Sequence, residues 1–370
     1  MQKRKQSNYS FSTMKLLSTL ILIIFLLSPL YSQEYDSTGF NPKTLLYRGE
    51  ERFLANAKQL TLEGENAEAY LSFDETQIIF QSRKGSRECD QIYTMNLDGS
   101  GKRLVSTGKG RTTCSYFLPD GNSILYASTH FADSVCPPPP SMAKGYTWAL
   151  YQGYDIFLAK ADGSNLRRIT STQGYDAEAT VSPKGDKIIF TSLRDGDLEL
   201  YEMSLDGSNQ KRLTNHLGYD GGAFYSWDGK KIVFRASSPD SSEAESYKLL
   251  LSEGLVRPSK MELFVMNADG SSRKQLTNNG RANFAPFFYP DNQTIAFSTN
   301  VADTERGRNF DIHLIDAENP KKLLRVTFSP EFDGFPVFTR DGKKIIFSSN
   351  RNSKRYGDTN VFIADWVFKP

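Results

Sequence analysis

Six polar residues stand at the same place in a recurring phrase: Asn66, Thr112, Asp176, Asp220, Asn283 and Asp333. Each precedes an alternating apolar run. A fold that gathers them into one ring would converge three carboxylates, two amides and a hydroxyl. Such hard oxygen donors hold Ca²⁺, or hydrogen-bond a sugar or a cationic peptide group. The same residue types also cap the loop leading into a strand, and both readings stand. In the same alignment the next strand ends near Lys84, His130, Arg194, Ser238, Val301 and Arg351. Its basic members, Lys84, His130, Arg194 and Arg351, would flank an acidic mouth and suit a zwitterionic or polar partner. Alternatively they end exposed strands and pair with neighbouring Asp.

Other chemistry is sparse. No Gly-x-Ser-x-Gly elbow, His-Glu-x-x-His or Cys-x-x-Cys occurs, and His130, His216 and His313 fall in different repeats. No catalytic residue is assigned and no cofactor is expected, Ca²⁺ being the ion the ring oxygens would suit. Two carboxylates within reach suffice for glycosidic chemistry, so a carboxylate- or metal-dependent hydrolase at the ring is the alternative to a binding module.

The elements that must position these residues come from the repeat. Its clearest copy runs Asp206-Gly-Ser-Asn-Gln-Lys-Arg-Leu-Thr214, with relatives from Asp98, Asp162, Asp269 and, worn, Asp316. Second-strand centres fall at Ile78-Ile-Phe80, Ile124-Leu-Tyr126, Ile188-Ile-Phe190, Ile232-Val-Phe234, Ile295-Ala-Phe297 and Ile345-Ile-Phe347. Short alternating strands between Gly turns are hairpin signals. A unit that cannot bury its own apolar face must stack. Six four-stranded units predict an all-β, six-bladed propeller. The sixth repeat ends without its basic Leu-Thr strand, and an orphan copy, Asn56-Ala-Lys-Gln-Leu-Thr61, precedes the first. Residues 56–61 are therefore expected to complete blade six and close the ring, which protects the edges.

The propeller is expected over 51–370, after a lead segment 33–50, with insertions near 131–152 and 237–260. Both open from the loop class that shares the ring's face. The first holds Cys136-Pro-Pro-Pro-Pro140 and Tyr146-Thr-Trp148, a stiff segment with aromatics that either pack as a lid or present a docking platform. The second, Ser241 to Gly254, predicts a short amphipathic helix. At the N-terminus, Lys3, Arg4, Lys5 and Lys15 precede the apolar run Leu16 to Leu30, the pattern of a secretory signal over 1–32. Retention of that run as an anchor is the weaker alternative, because a span needs about twenty apolar residues. Its removal takes the net charge from +2 to about −2, which gives nucleic acid no purchase. An exported chain permits a disulfide among Cys89, Cys114 and Cys136. Cys114 is expected to pair with Cys89 in preference to Cys136, the alternative being three unpaired thiols. Nothing suggests an oligomer, so a monomer is expected.

The phrases Met95-Asn-Leu-Asp-Gly-Ser100, Met266-Asn-Ala-Asp-Gly-Ser-Ser-Arg-Lys-Gln-Leu-Thr277 and Ser182-Pro-Lys-Gly-Asp-Lys-Ile188 resemble the TolB-type (WD-like) propeller repeat. The resemblance covers residues 50–370. It implies a periplasmic, soluble envelope protein whose propeller face binds an envelope protein; a polar glycan or peptide is the partner that the ring residues themselves would suit. TolB carries an N-terminal α/β domain ahead of its propeller, for which only about 20 residues are left here, so a Tol-Pal role does not follow. The same repeat occurs in peptidases whose propeller gates a hydrolase domain, which makes an accessory propeller of a separate peptidase a third expectation.

Overall fold

The computed structural model describes residues 35–83 and 89–369. The expected signal segment and Lys84 lie outside them. Six four-stranded antiparallel sheets form a six-bladed propeller. The inner strands are Glu65–Leu71, Thr112–Phe117, Asp176–Val181, Asp220–Tyr225, Asn283–Phe288 and Asp333–Phe338. Blade six is completed by Leu54–Gln59, paired with Asn360–Trp366. Closure therefore occurs as expected, with the strand beginning two residues earlier than the Leu-Thr phrase suggested. Among the described residues the one α-helix is Ala244–Ser252, and no helix is long and apolar enough to cross a membrane.

The repeated phrase is explained by two local bonds. In each Asp-Gly-Ser turn the Asp carboxylate accepts from the amide two residues on, as at Asp98, Asp162, Asp206 and Asp269. At Asp206 that oxygen also accepts the Ser208 hydroxyl (2.6 Å), and these bonds hold its carboxyl below the usual carboxylate range. In four copies of the phrase the Thr hydroxyl accepts the amide of the third strand's second residue: Ile156 to Thr170, Leu200 to Thr214, Leu263 to Thr277 and Ile312 to Thr327, at 2.8–2.9 Å. Thr61 does the same for Val361, which is why the orphan copy fits blade six. Replacing Thr277 by Val keeps the shape but strands a buried amide, so unfolding free energy should fall by about 1–3 kcal/mol. Urea denaturation of the variant checks this.

The apolar centres of the second strands, Ile78 to Phe80 and their five counterparts, are 0% exposed and form the interblade core (Tyr126 stands for Phe in blade two). The lead segment adds a small hairpin, Phe40–Asn41 with Leu46–Tyr47, and a 3-10 turn, Glu50–Arg52. Glu50 is driven fully inside. Its carboxylate receives both terminal nitrogens of Arg351, at 2.8 and 3.0 Å, while Arg351 also donates to Asp333 at 2.9 Å and to the Leu45 carbonyl. That triad fastens the lead to blade six.

The two insertions join. Trp148 and Ala149 pair with Val256 and Leu255, the Lys144 ammonium meets Glu253, and Arg257 donates to the Lys144 carbonyl. Of the expected helix, Leu250 is buried and Tyr247 and Leu251 pack inward, whereas Leu249 is 61% exposed. The expected Cys89–Cys114 bridge is overturned: Cys89 is bonded to Cys136, with Cα atoms 5.6 Å apart, and Cys114 is free. Cys89 and Cys136 lie in loops of neighbouring blades on the insertion face, whereas Cys114 stands inside an inner strand.

Candidate functional site

The six ring residues occupy equivalent positions at the start of the inner strands, and each is at most 1% exposed. Their partners lie in their own or the adjacent blade. Asp176 receives Arg194 and the Ser192 hydroxyl; Asp220 receives Arg273 at 3.3 Å; Asp333 receives Arg351. Asn66 donates to the Thr359 carbonyl, Thr112 to that of Asp90, and Asn283 to that of Met261. This is the capping arrangement. The carboxylates face separate arginines, which leaves Ca²⁺ no convergent set. Among the described residues no group of three His, Cys, Asp or Glu is placed to hold a metal. Of the flanking basic residues, the three that are described turn inward as well. Arg194 and Arg351 serve the ring, and His130 shares a hydrogen between Nδ1 and Ser128 and packs with its ring centroid 4.4 Å from that of Phe157, tilted by 42°.

Burial of the ring has a pH consequence. Desolvation outweighs Arg273 and lifts the Asp220 carboxyl to about 8. A carboxyl raised on folding binds more protons folded than unfolded between pH 4 and 8. Its contribution is present in full below about pH 4 and is lost as pH rises through about 8. Asp220→Asn should flatten that part of the stability profile, measured by denaturation at pH 5 to 9.

What lines the channel sits two residues further along. Every inner strand bulges there: the pairing register shifts in all six blades, and the bulge residue is left-handed. These residues are Glu68, Cys114, Glu178, Gly222, Ala285 and Phe335, with φ between 46° and 59°. Five of the six are not glycine, an uncommon conformation that recurs here because the bulge belongs to the blade design. Except for Glu178 they are half-buried, so solvent reaches this layer from the insertion face. Two residues deeper, Tyr70, Tyr116, Phe224 and Phe287 close the channel; Tyr70 lies 5.4 Å from both Tyr116 and Phe224, and Phe224 lies 5.3 Å from Phe287. Beyond that plug, on the opposite face, is a pocket of about 590 Å³ including its open mouth, with Phe73, Trp227 and Arg340 in its lining.

Charge in the bulge layer is asymmetric. In blade four, glycines occupy 221 and 222, and Arg235 from the second strand reaches through the gap. A Cβ on Gly222 would lie 1.9 Å from its Nη1, and one on Gly221 2.4 Å from Glu178 Oε2. Arg235 donates to Glu178 (2.6 Å) and to the Tyr219 hydroxyl (2.7 Å). Glu178 further accepts from Tyr219, Thr191 and the Gly222 amide. Burial alone would push Glu178 up, but Arg235, Tyr219 and Thr191 together hold it below the usual carboxylate range. Glu68 has no such cation among the described residues. Burial lifts it to about 7, against the Cys114 thiol hydrogen bond. Sequence alignment missed this layer because it stopped at the strand's first residue. The available signal was the Gly221-Gly222 pair opposite a lone mid-strand Arg235.

Residues 148–253 match the TolB beta propeller domain family (PD40). A TolB homolog of Chlorobium luteolum is 26% identical over 151 residues, 35% of this chain and 34% of that protein. The Tol-Pal system protein TolB of Bordetella pertussis is 26% identical over 155 residues, 35% of each chain. The chain thus spans about a third of the length of the curated relatives it matches. Among solved structures, TolB of Acinetobacter baumannii superposes with a TM-score of 0.53 at 20% identity, over 72% of this chain and 56% of that one, a likeness of fold.

Proposed function

We propose, taking the chain as a six-bladed propeller of TolB-like repeats, that it is an exported binding module of the cell envelope which docks a protein on its insertion face. One observation carries this: the insertions of blades two and four join into a single platform that leaves Phe131, Val135, Met142, Tyr146 and Leu249 between 61% and 69% exposed. Large apolar side chains grouped on one face mark an interaction surface. The similarity to a Tol-Pal system protein supports an envelope setting.

Affinity capture from solubilised envelope extract tests it. A Phe131→Ser/Tyr146→Ser/Leu249→Ser variant, with unchanged melting, should lose capture at least tenfold. Equal capture by both proteins would remove the platform from the docking face, and no capture by either would favour a polar glycan.

The alternative of a carboxylate-dependent hydrolase has its own supporting observation, because Glu68 and Glu178 are pushed in opposite directions, as an acid and a base require. Turnover of a glycoside that Glu178→Gln abolishes would select it.

A further inference from the structure

The channel mouth on the insertion face is a two-sided funnel. One wall is a run of half-buried rings, Trp148, Phe284, Phe310, Phe332 and Phe335, with successive centroids 5.2, 5.6, 6.1 and 5.9 Å apart. It is built by blades five and six, with Trp148 from the lid. Blades one to three, across the ring, carry Glu68, Cys114 and Glu178. We propose that this funnel receives the cationic tip of a lysine or arginine side chain from the docked protein, with Glu68 as the carboxylate that takes it. The inference rests on the reading of the insertion face as a protein-docking surface.

Charge is the first argument. Glu178 is neutralised by Arg235, whereas Glu68 pairs with no Lys, Arg or His among the described residues. Among the described residues Glu68 is therefore a carboxylate of the layer left without a paired cation. The rings are the second, since aromatic faces attract cations. Arg235 shows it for this wall: its guanidinium carbon lies 5.6 Å from the Trp148 centroid and 5.9 Å from that of Phe284. Depth is the third. The plug of Tyr70, Tyr116, Phe224 and Phe287 lies just below, so a side chain enters and a polypeptide does not pass.

The groups that act on Glu68 are the Cys114 thiol, Glu178, Arg235 and Asp90. Burial, Glu178 and Asp90 favour its neutral form; the thiol and Arg235 favour its charge. An ammonium ion needs the charged form, so binding should strengthen as pH rises through about 7.

The test is calorimetric titration of the full mature chain with Nα-acetyl-lysine methylamide and with its norleucine counterpart, which has the same stem and no charge. The lysine probe should bind at least tenfold tighter at pH 8, with a smaller gap at pH 6. Glu68→Gln, with unchanged circular dichroism and melting, should erase the gap. Equal binding of the two probes, a preference that survives Glu68→Gln, or no heat from either would each overturn the proposal. Because the probes are small molecules, their binding is scored independently of partner capture. Equal capture by the native and platform-variant proteins, or none by either, with the lysine preference intact would count against the docking face alone, and platform-dependent capture without the lysine preference against the funnel alone.

Discussion

Arg351→Ala should lower unfolding free energy by about 3–5 kcal/mol, the range for removing one partner of a buried ion pair. The side chains of Arg351, Glu50 and Asp333 are each 0% exposed. Deleting the guanidinium leaves two carboxylates facing each other without a cation, and Glu50 is already pushed up by burial. Glu50 also accepts the amides of Tyr47 and Phe328, at 2.9 Å each, so its neutralisation disturbs blade five as well as the lead segment. A triple variant, Glu50→Gln and Asp333→Asn with Arg351→Met, removes all three buried charges together and should recover much of the loss. Denaturant midpoints of the single and triple variants decide it. A single variant within about 1 kcal/mol of native would mean that the triad does not hold the closing blade.

The second large effect concerns the bridge. Cys136→Ser should cost up to about 4 kcal/mol, because Cys89 and Cys136 close a loop 47 residues long, and a cross-link of that span removes much unfolded-chain entropy. Cys114→Ser should cost far less, since Cys114 is free. The contrast separates the observed bridge from a Cys89–Cys114 pairing, under which both variants would be comparably destabilised or their order reversed. Thermal melts of the three proteins, with and without reductant, supply the comparison. Peptide mapping without reduction should find Cys89 linked to Cys136, and Cys114 alkylated only after unfolding, since burial and the nearby Glu68 and Glu178 keep its thiol protonated.

Both effects concern what fastens the propeller, and neither touches the funnel. That separation makes the functional tests readable. Glu68 lies in the solvent-reached bulge layer, hydrogen-bonded to the Cys114 thiol and in no ion pair among the described residues, so its isosteric replacement removes charge without breaking a buried salt bridge. Phe131, Tyr146 and Leu249 are exposed on the platform, and their replacement leaves the interblade core untouched.

The sequence by itself determined the blades, their number and their closure. Those features are written in bonds a few residues long: an Asp that accepts the amide two positions on, and a Thr that hooks the next strand. Such bonds repeat wherever their residues do, so an orphan Leu60-Thr61 could be matched to a sixth repeat that lacked one. The position of the two insertions on one face followed from the same count. Tertiary structure decided the rest. Alternation along a strand places side chains only while the register holds, and a left-handed bulge in every inner strand moved the channel layer two residues past the ring. Arg235 reaches the channel from a second strand because Gly221 and Gly222 leave room, a contact between side chain and gap that no linear spacing records. Cys89 met Cys136 because loops of adjacent blades lie side by side, and the choice among three thiols is one of distance in space rather than along the chain.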